Sequence, residues 1–252
     1  MFQEERTKAI LDFLQKEKRA KVSELSKKFG VSKVTIRRDL DILLNKDLII
    51  KTHGGAIPVS EELSYEIPSR IKSIISKSEK QKIGSKAAQL IKEGDIIILD
   101  AGSTTLEIAK RINQKKITVV TNDINIAITV ANNSNIELIV PGGVLIEGVF
   151  TLVSNNAIEF FKKTYVNKTF LGCDAIDLDF GISNRVLSER KMKLAMINAA
   201  QEVIAVCDKR KFGKKVSYHL CDISKINKVV VDSIDDVYLD AFKEKNIEVF
   251  IV

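Results

Sequence analysis

From residue 79 onward the chain repeats one grammar: a short, unbroken apolar run, then a stretch with helical spacing, then another run. The runs are IIILD (96–100), ITVVTN (117–122), IELIV (136–140), KTFLGCDAI (168–176), VIAVCD (203–208), KVVVD (228–232) and IEVFIV (247–252). Helical patterns near 79–92, 104–113, 123–132, 154–163, 188–201 and 235–245 separate them. A strand with one face in water alternates apolar and polar residues, whereas a run that is apolar throughout is covered on both faces. The expected fold of this part is therefore an open, mostly parallel α/β sheet with helices on either side. With 252 residues and 45% hydrophobic content, the chain can build that core and a smaller second module.

Ligands of open α/β sheets collect beyond the carboxyl ends of the strands, so the residues after each run are the candidates. The first run leads into Asp100, Ala101, Gly102, Ser103, Thr104 and Thr105 at the start of a helix, where amides and hydroxyls can converge on an anion. The second leads into Thr121 and Asn122, and the third into Pro141, Gly142 and Gly143, whose glycines would let backbone approach a ligand. Gly172, Cys173 and Asp174 lie within the fourth, and Asp208, Lys209, Arg210 and Lys211 bring cations after the fifth. Singly, these are ordinary caps, turns and solvated loops. Their placement at corresponding strand ends points to a phosphate-bearing small molecule. Neither a Walker lysine pattern nor GxGxxG occurs, so no nucleotide cofactor is expected.

The first quarter of the chain has a different character. Of a net charge of +7, residues 1–60 carry +5, with 13 Lys and Arg against 8 Asp and Glu. Such an excess suits a module that neutralises nucleic-acid phosphates. Ala9, Ile10, Phe13 and Leu14 mark a first helix; a second runs from Lys21, with Ser23 as its expected cap and Gly30 as its stop. Ser32 then caps a third, over 32–45, whose stripe of Ile36, Leu40, Leu43 and Leu44 must face the other two. That stripe turns Arg37 and Arg38 outward, together with Lys33, Val34 and Thr35. A helix that is cationic and outward at its start suits a major groove, where the arginine fork bonds guanine or grips phosphate. Asp39 and Asp41 would repel phosphates there unless the geometry were specific. LIIKTHGGAI then reads as a two-stranded wing around a Gly-Gly turn, with His53 at its tip.

These motifs carry a resemblance. Val31 to Leu40 (VSKVTIRRDL), followed by His53 to Ala56 (HGGA), resembles the N-terminal signature of the DeoR-type bacterial repressors of sugar metabolism. LDAGST, VVTN, PGG, FLGCD and DKRKFG extend the likeness, in family order, over nearly the full chain. It implies a winged helix-turn-helix over 1–57, a linker over 58–78, and a sensor domain over 79–252 similar in fold to ribose 5-phosphate isomerase. Ser32, Lys33, Val34, Thr35, Arg37, Arg38 and His53 would meet double-stranded operator DNA. A phosphorylated sugar would act as inducer, with Ser103, Thr104 and Thr105 holding phosphate or hydroxyls and Lys211 neutralising charge. Lys209 and Arg210 stand where the family more often has Ser or Thr before that lysine.

The same likeness raises an isomerase as the alternative, with Asp174 and Glu189 as carboxylates. Against it, Leu171 stands where that enzyme's first motif aspartate would be, and Asp179 to Ser183 (DFGIS) replaces its lysine-bearing glycine loop. No catalytic residue and no metal ligand is therefore expected. Cys173, Cys207 and Cys221 lack metal-ligand spacing and read as reduced core thiols. No apolar run is long enough to span a bilayer and the opening MFQEERTKAI is charged, so a cytoplasmic protein without a membrane partner is expected, assembling as a homodimer or homotetramer.

Overall fold

The computed structural model describes residues 2–45, 48–52, 54–58, 69–73, 75–112, 116–146 and 148–252. The chain separates into two compact units, Met1–Tyr65 and Glu66–Val252. His53 and most of the segment expected as a linker lie outside the described residues. Of the remainder of that segment, residues 69–72 and 77–78 are helical. No helix among the described residues is long and apolar enough to cross a membrane.

The first unit runs α1 (Gln3–Glu17), β1 (Ala20–Lys21), α2 (Val22–Phe29), α3 (Lys33–Asn45), β2 (Ile49–Thr52) and β3 (Gly55–Pro58). Ile10, Leu14, Leu25, Ile36, Leu40 and Ile49 bury almost completely in one core, as the helical spacing predicts. Gly30 ends α2 in the left-handed conformation at φ 65°, its N–H donating to the Ser26 carbonyl. Two residues later the Ser32 hydroxyl accepts the Thr35 N–H at 3.1 Å and opens α3. Ser23 does not cap α2, because that helix starts at Val22 and Glu24 reaches back to the Lys21 N–H at 2.8 Å.

The wing forms as β1, β3 and β2 pair antiparallel in that order, with Ala20 opposite Ala56 and Thr52 opposite Gly55. Gly55 is therefore a strand residue rather than part of the turn. A Cβ there would lie 2.2 Å from the Ala20 carbonyl oxygen, so the close pairing of β1 on β3 requires glycine.

Asp39 departs from expectation. Its carboxylate is fully buried and takes a two-pronged bond from Arg6, at 2.6 Å from Nε and 3.0 Å from Nη2. It pins α1 to α3 and presents no charge to phosphates. Asp41 does face solvent, where it pairs with Lys51 of the wing.

The second unit begins with α4 (Ser69–Lys72) and α5 (Lys77–Gln89) and continues β4 (Ile96–Leu99), α6 (Ser103–Ala109), β5 (Ile117–Thr121), α7 (Ile124–Val130) and β6 (Ile136–Ile139). A small hairpin of β7 (Val144–Leu145) and β8 (Leu152–Val153) leads to α8 (Asn155–Lys162) and β9 (Val166–Leu171). Next come β10 (Ala175–Asp177), β11 (Gly181–Asn184), α9 (Leu187–Ala199), β12 (Ala200–Val206) and β13 (Tyr218–Cys221). The chain closes with β14 (Lys228–Val231), α10 (Asp236–Glu244) and β15 (Glu248–Ile251).

All seven apolar runs enter one parallel sheet, in the order β15-β14-β12-β9-β4-β5-β6. Ile97 and Leu99 pack toward α5, α6 and α7, while Ile98 packs toward α8 and α9. Burial on both faces is why those runs are continuous. The run 168–176 is not one strand: β9 stops at Leu171, and Ala175 starts β10 of a separate antiparallel sheet with β11 and β13.

The order of the large sheet fixes where a ligand can sit. From β4 the chain builds outward through β5 to β6, then returns to the other side of β4 with β9 and proceeds through β12 to β15. Connections leave β4 and β9 in opposite directions, and a crevice opens beyond their carboxyl ends.

Candidate functional site

On the first unit, α3 presents Ser32, Lys33, Val34, Arg37 and Arg38 to solvent, with Thr35 half-buried. Ser32 and Thr35 are engaged with each other, hydroxyl to hydroxyl at 2.9 Å, so they shape the start of the helix. The guanidinium-bearing face is the one opposite Ile36, Leu40 and Leu43, as the helical period requires.

On the second unit, a cavity opens at the switch point. Gly102, Ser103, Thr104 and Thr105 line it from the end of β4, Asp174 from the end of β9 and Lys211 from the end of β12. These six expected residues converge. Thr105 spends its hydroxyl on the Gly102 carbonyl at 2.9 Å, which tightens the first turn of α6. The leading N–H groups of that turn have no intrahelical acceptor.

The run 209–211 resolves into three roles. Lys209 pairs with Asp235 at 2.7 Å, and Arg210 folds back on Asp208 at 2.9 Å. Lys211 is the member that lines the cavity.

The other expected residues brace the walls. Asp100 is buried, accepts the Gly172 N–H at 2.9 Å and pairs with Lys193, so it holds two pieces of the cavity without lining it. Thr121 donates to the Leu99 carbonyl at 2.8 Å and accepts from the Asp123 N–H, which fixes the turn after β5. Asn122 donates to the Leu152 carbonyl at 3.1 Å, tying the β7–β8 hairpin to the sheet. Gly142 and Gly143 are likewise outside the cavity lining. Gly143 serves its own chain, since a Cβ there would lie 2.7 Å from Val153 backbone atoms. For Thr121, Asn122, Gly142 and Gly143 the cause is shared: β5 and β6 lie on the same side of β4, away from the crevice between β4 and β9.

Sequence reasoning missed three lysines. Lys72 on α4, Lys80 on α5 and Lys193 on α9 line the cavity beside Lys211, with Glu189 and Asn184. Burial would lower the Lys193 ammonium, but Asp100, Glu189 and Asp174 raise it above its ordinary value. Burial pulls Lys80 down to about 7, Asp208 opposing and Lys211, Arg210 and Lys72 adding to the fall. An anion entering the cavity would favour its charged form. Burial alone would raise Asp174, yet Lys72, Lys211, the Arg185 N–H and Lys193 hold it well below the usual carboxylate range.

Two observations indicate what the cavity lacks. Cationic lining residues outnumber the carboxylates of Asp174 and Glu189. The buried Asn184 carboxamide donates from Nδ2 toward Asp174 at 3.4 Å, while its Oδ1 has no partner among the described residues. An anionic group and a hydrogen-bond donor would satisfy both. Of the cysteines, Cys207 and Cys221 are buried, whereas Cys173 is half-buried and lines the cavity with Cys207.

Two family models match the chain: a DeoR-like helix-turn-helix domain over residues 6–62 and a DeoR C-terminal sensor domain over residues 75–233. The "HTH-type transcriptional repressor GlcR" of Bacillus subtilis (strain 168) is 34% identical over 100% of this chain and 97% of its own length. A "Putative aga operon transcriptional repressor" of Escherichia coli O157:H7 is 30% identical over 98% of this chain and 93% of its own. Among solved structures, ribose 5-phosphate isomerase A of Methanocaldococcus jannaschii aligns with 55% of this chain and 56% of its own at 17% identity and a TM-score of 0.41.

Proposed function

The chain belongs to the DeoR family of DNA-binding transcriptional regulators, and from that premise we propose that it represses a sugar-utilisation operon and leaves its operator when a phosphorylated sugar enters the cavity. The observation that carries the effector reading is the convergence of Lys72, Lys80, Lys193 and Lys211 with the first turn of α6 at the switch point. The phosphate sits among the lysines and α6, and a sugar hydroxyl donates to Asn184. The relatives named as repressors support the same direction of control.

The cavity binds rather than turns over its ligand. A general base works best with a pKa near the operating pH, and Asp174 is held far below that by three ammonium groups. Residues 179–183, where the isomerase's lysine loop would stand, finish the β10–β11 turn and run into β11, and a Cβ on Gly181 would lie 2.4 Å from the Cys221 carbonyl oxygen. The protein works in the cytoplasm, where the operator is, as a homodimer or homotetramer on repeated half-sites.

The DNA half of this reading has a direct test. Arg37→Ala and Arg38→Ala each leave the apolar stripe intact, so both variants should fold normally. Binding to DNA selected from a random pool should weaken by about 1–3 kcal/mol where a base contact is lost, with relaxed preference at one position. Where a phosphate contact is lost, the slope of log affinity against log salt should fall by about one unit. Unchanged affinity and slope in both variants would remove α3 from the DNA.

A further inference from the structure

The cavity wall includes the segment through which the chain arrives from the DNA-binding unit. Ser69 and Lys72, at the two ends of α4, both line it. Bonds fasten α4 at both ends: the Ser69 N–H donates to the Gly148 carbonyl at 2.8 Å, Lys72 Nζ reaches Asp174 at 3.4 Å, and Lys80 Nζ donates to the Lys72 carbonyl at 2.5 Å. The last two run through ammonium groups that line the cavity. We propose that Lys72 is the coupling residue of the sensor: an anionic ligand draws its ammonium away from Asp174, and α4 moves with it. This inference rests on the reading of the cavity as the effector site.

Geometry makes the exchange cheap. A strong ammonium–carboxylate bond spans about 2.7–2.9 Å, so the 3.4 Å pair of Lys72 and Asp174 is a loose one. Asp174 keeps the Arg185 N–H at 3.1 Å and Asn184 at 3.4 Å when Lys72 leaves. Lys72 is a point charge on a flexible stem, able to follow a phosphate without matching a fixed fork. The same anion attracts Lys80, whose bond to the Lys72 carbonyl closes the end of α4. A single turn of helix has no cooperative stability of its own, so such bonds are needed to hold its place. Lys193 and Lys211 cannot transmit in this way. Lys193 is locked on Asp100 and Gly172 within the sheet core, and Lys211 sits in the short turn after β12, its N–H bonded to the Asp208 carbonyl at 3.0 Å. Coupling requires an element with two arrangements that the ligand distinguishes, and α4 with its exchangeable lysine is that element.

The test uses full-length wild type, Lys72→Met and Lys72→Arg, with DNA selected from a random pool. The probes are ribose 5-phosphate, fructose 6-phosphate, glucose 6-phosphate and inorganic phosphate. Probe affinity is measured by calorimetry, DNA release at saturating probe by anisotropy, and hydrogen exchange at the amides of residues 69–73. In the wild type a sugar phosphate should release DNA and change exchange across α4. Lys72→Met should still bind DNA and still bind the probe, weakened by about tenfold or less. It should stay on DNA at saturation, with exchange in α4 unaltered, and Lys72→Arg should recover part of the release. Release of Lys72→Met at saturation to the wild-type extent would overturn the coupling while leaving the effector site standing. If no probe binds the wild type, the effector reading fails and the coupling fails with it.

Discussion

Asp39→Ala should sharply weaken DNA binding, although the Asp39 side chain is turned away from the exposed arginines of α3. Its carboxylate is the buried partner of Arg6, and removing it takes away the two-pronged bond that ties α1 to α3. Breaking one side of a buried ion pair costs about 3–5 kcal/mol. A unit of this size holds about 3–10 kcal/mol in all, at about 0.05–0.15 kcal/mol per residue. The loss takes a large share of that, so the DNA-binding unit should melt at a much lower temperature, while the sensor unit still melts as its own transition. The double variant Arg6→Met with Asp39→Leu should regain part of the loss, since an apolar pair leaves no charge to compensate. A preserved thermal transition and preserved DNA affinity in Asp39→Ala would show that the pair is dispensable.

Lys193→Met should have a comparable effect on the sensor unit. The ammonium is buried against Asp100 and donates to the Gly172 carbonyl at 3.1 Å, so one group fastens the end of β4 to the end of β9 across the switch point. Its loss leaves Asp100 with the Gly172 N–H and no opposite charge at bonding distance among the described residues. The cost of about 3–5 kcal/mol should lower the melting temperature by roughly 6–20 °C for a unit of this size. Asp100→Ala should do the same from the other side, and the two together should cost less than their sum because they remove one interaction. Two small and additive shifts in calorimetry would contradict this.

The fold was legible because its signals are local. Burial on both faces makes a parallel strand apolar at every position, and each of the seven runs contributes one strand to the sheet. Gly30 and Ser32 announced the turn between α2 and α3 by the backbone geometry and the capping bond that each supplies. Asp39 had a signal too. It falls three residues after Ile36 on the buried stripe, so an acid there needed a cation such as Arg6 to pair with.

The cavity was legible only in part, because strand order is not a local property. Gly102 to Thr105, Asp174 and Lys211 flank the switch point, whereas Thr121, Asn122, Gly142 and Gly143 sit at strand ends of the same appearance on the far side of β4. Nothing in the linear pattern separates the two sets. Lys72 and Lys80 come from helices ahead of β4, the first strand of the large sheet, where no strand-end rule looks. Lys193 was findable, as a lysine four residues after Glu189 on a helix that also carries Met192, Ala195 and Met196, all buried.

The most direct test is titration of the DNA complex with each phosphorylated sugar, and with the same sugars lacking phosphate, for the wild type and Lys211→Ala. A phosphorylated sugar should release wild-type protein while its unphosphorylated counterpart leaves the complex intact. Lys211→Ala should bind DNA as tightly as the wild type yet need roughly 10- to 150-fold more ligand for release, which corresponds to a charge-assisted bond of about 1.5–3 kcal/mol. Release by unphosphorylated sugar, or an unchanged ligand requirement in Lys211→Ala, would contradict a phosphate site among these lysines.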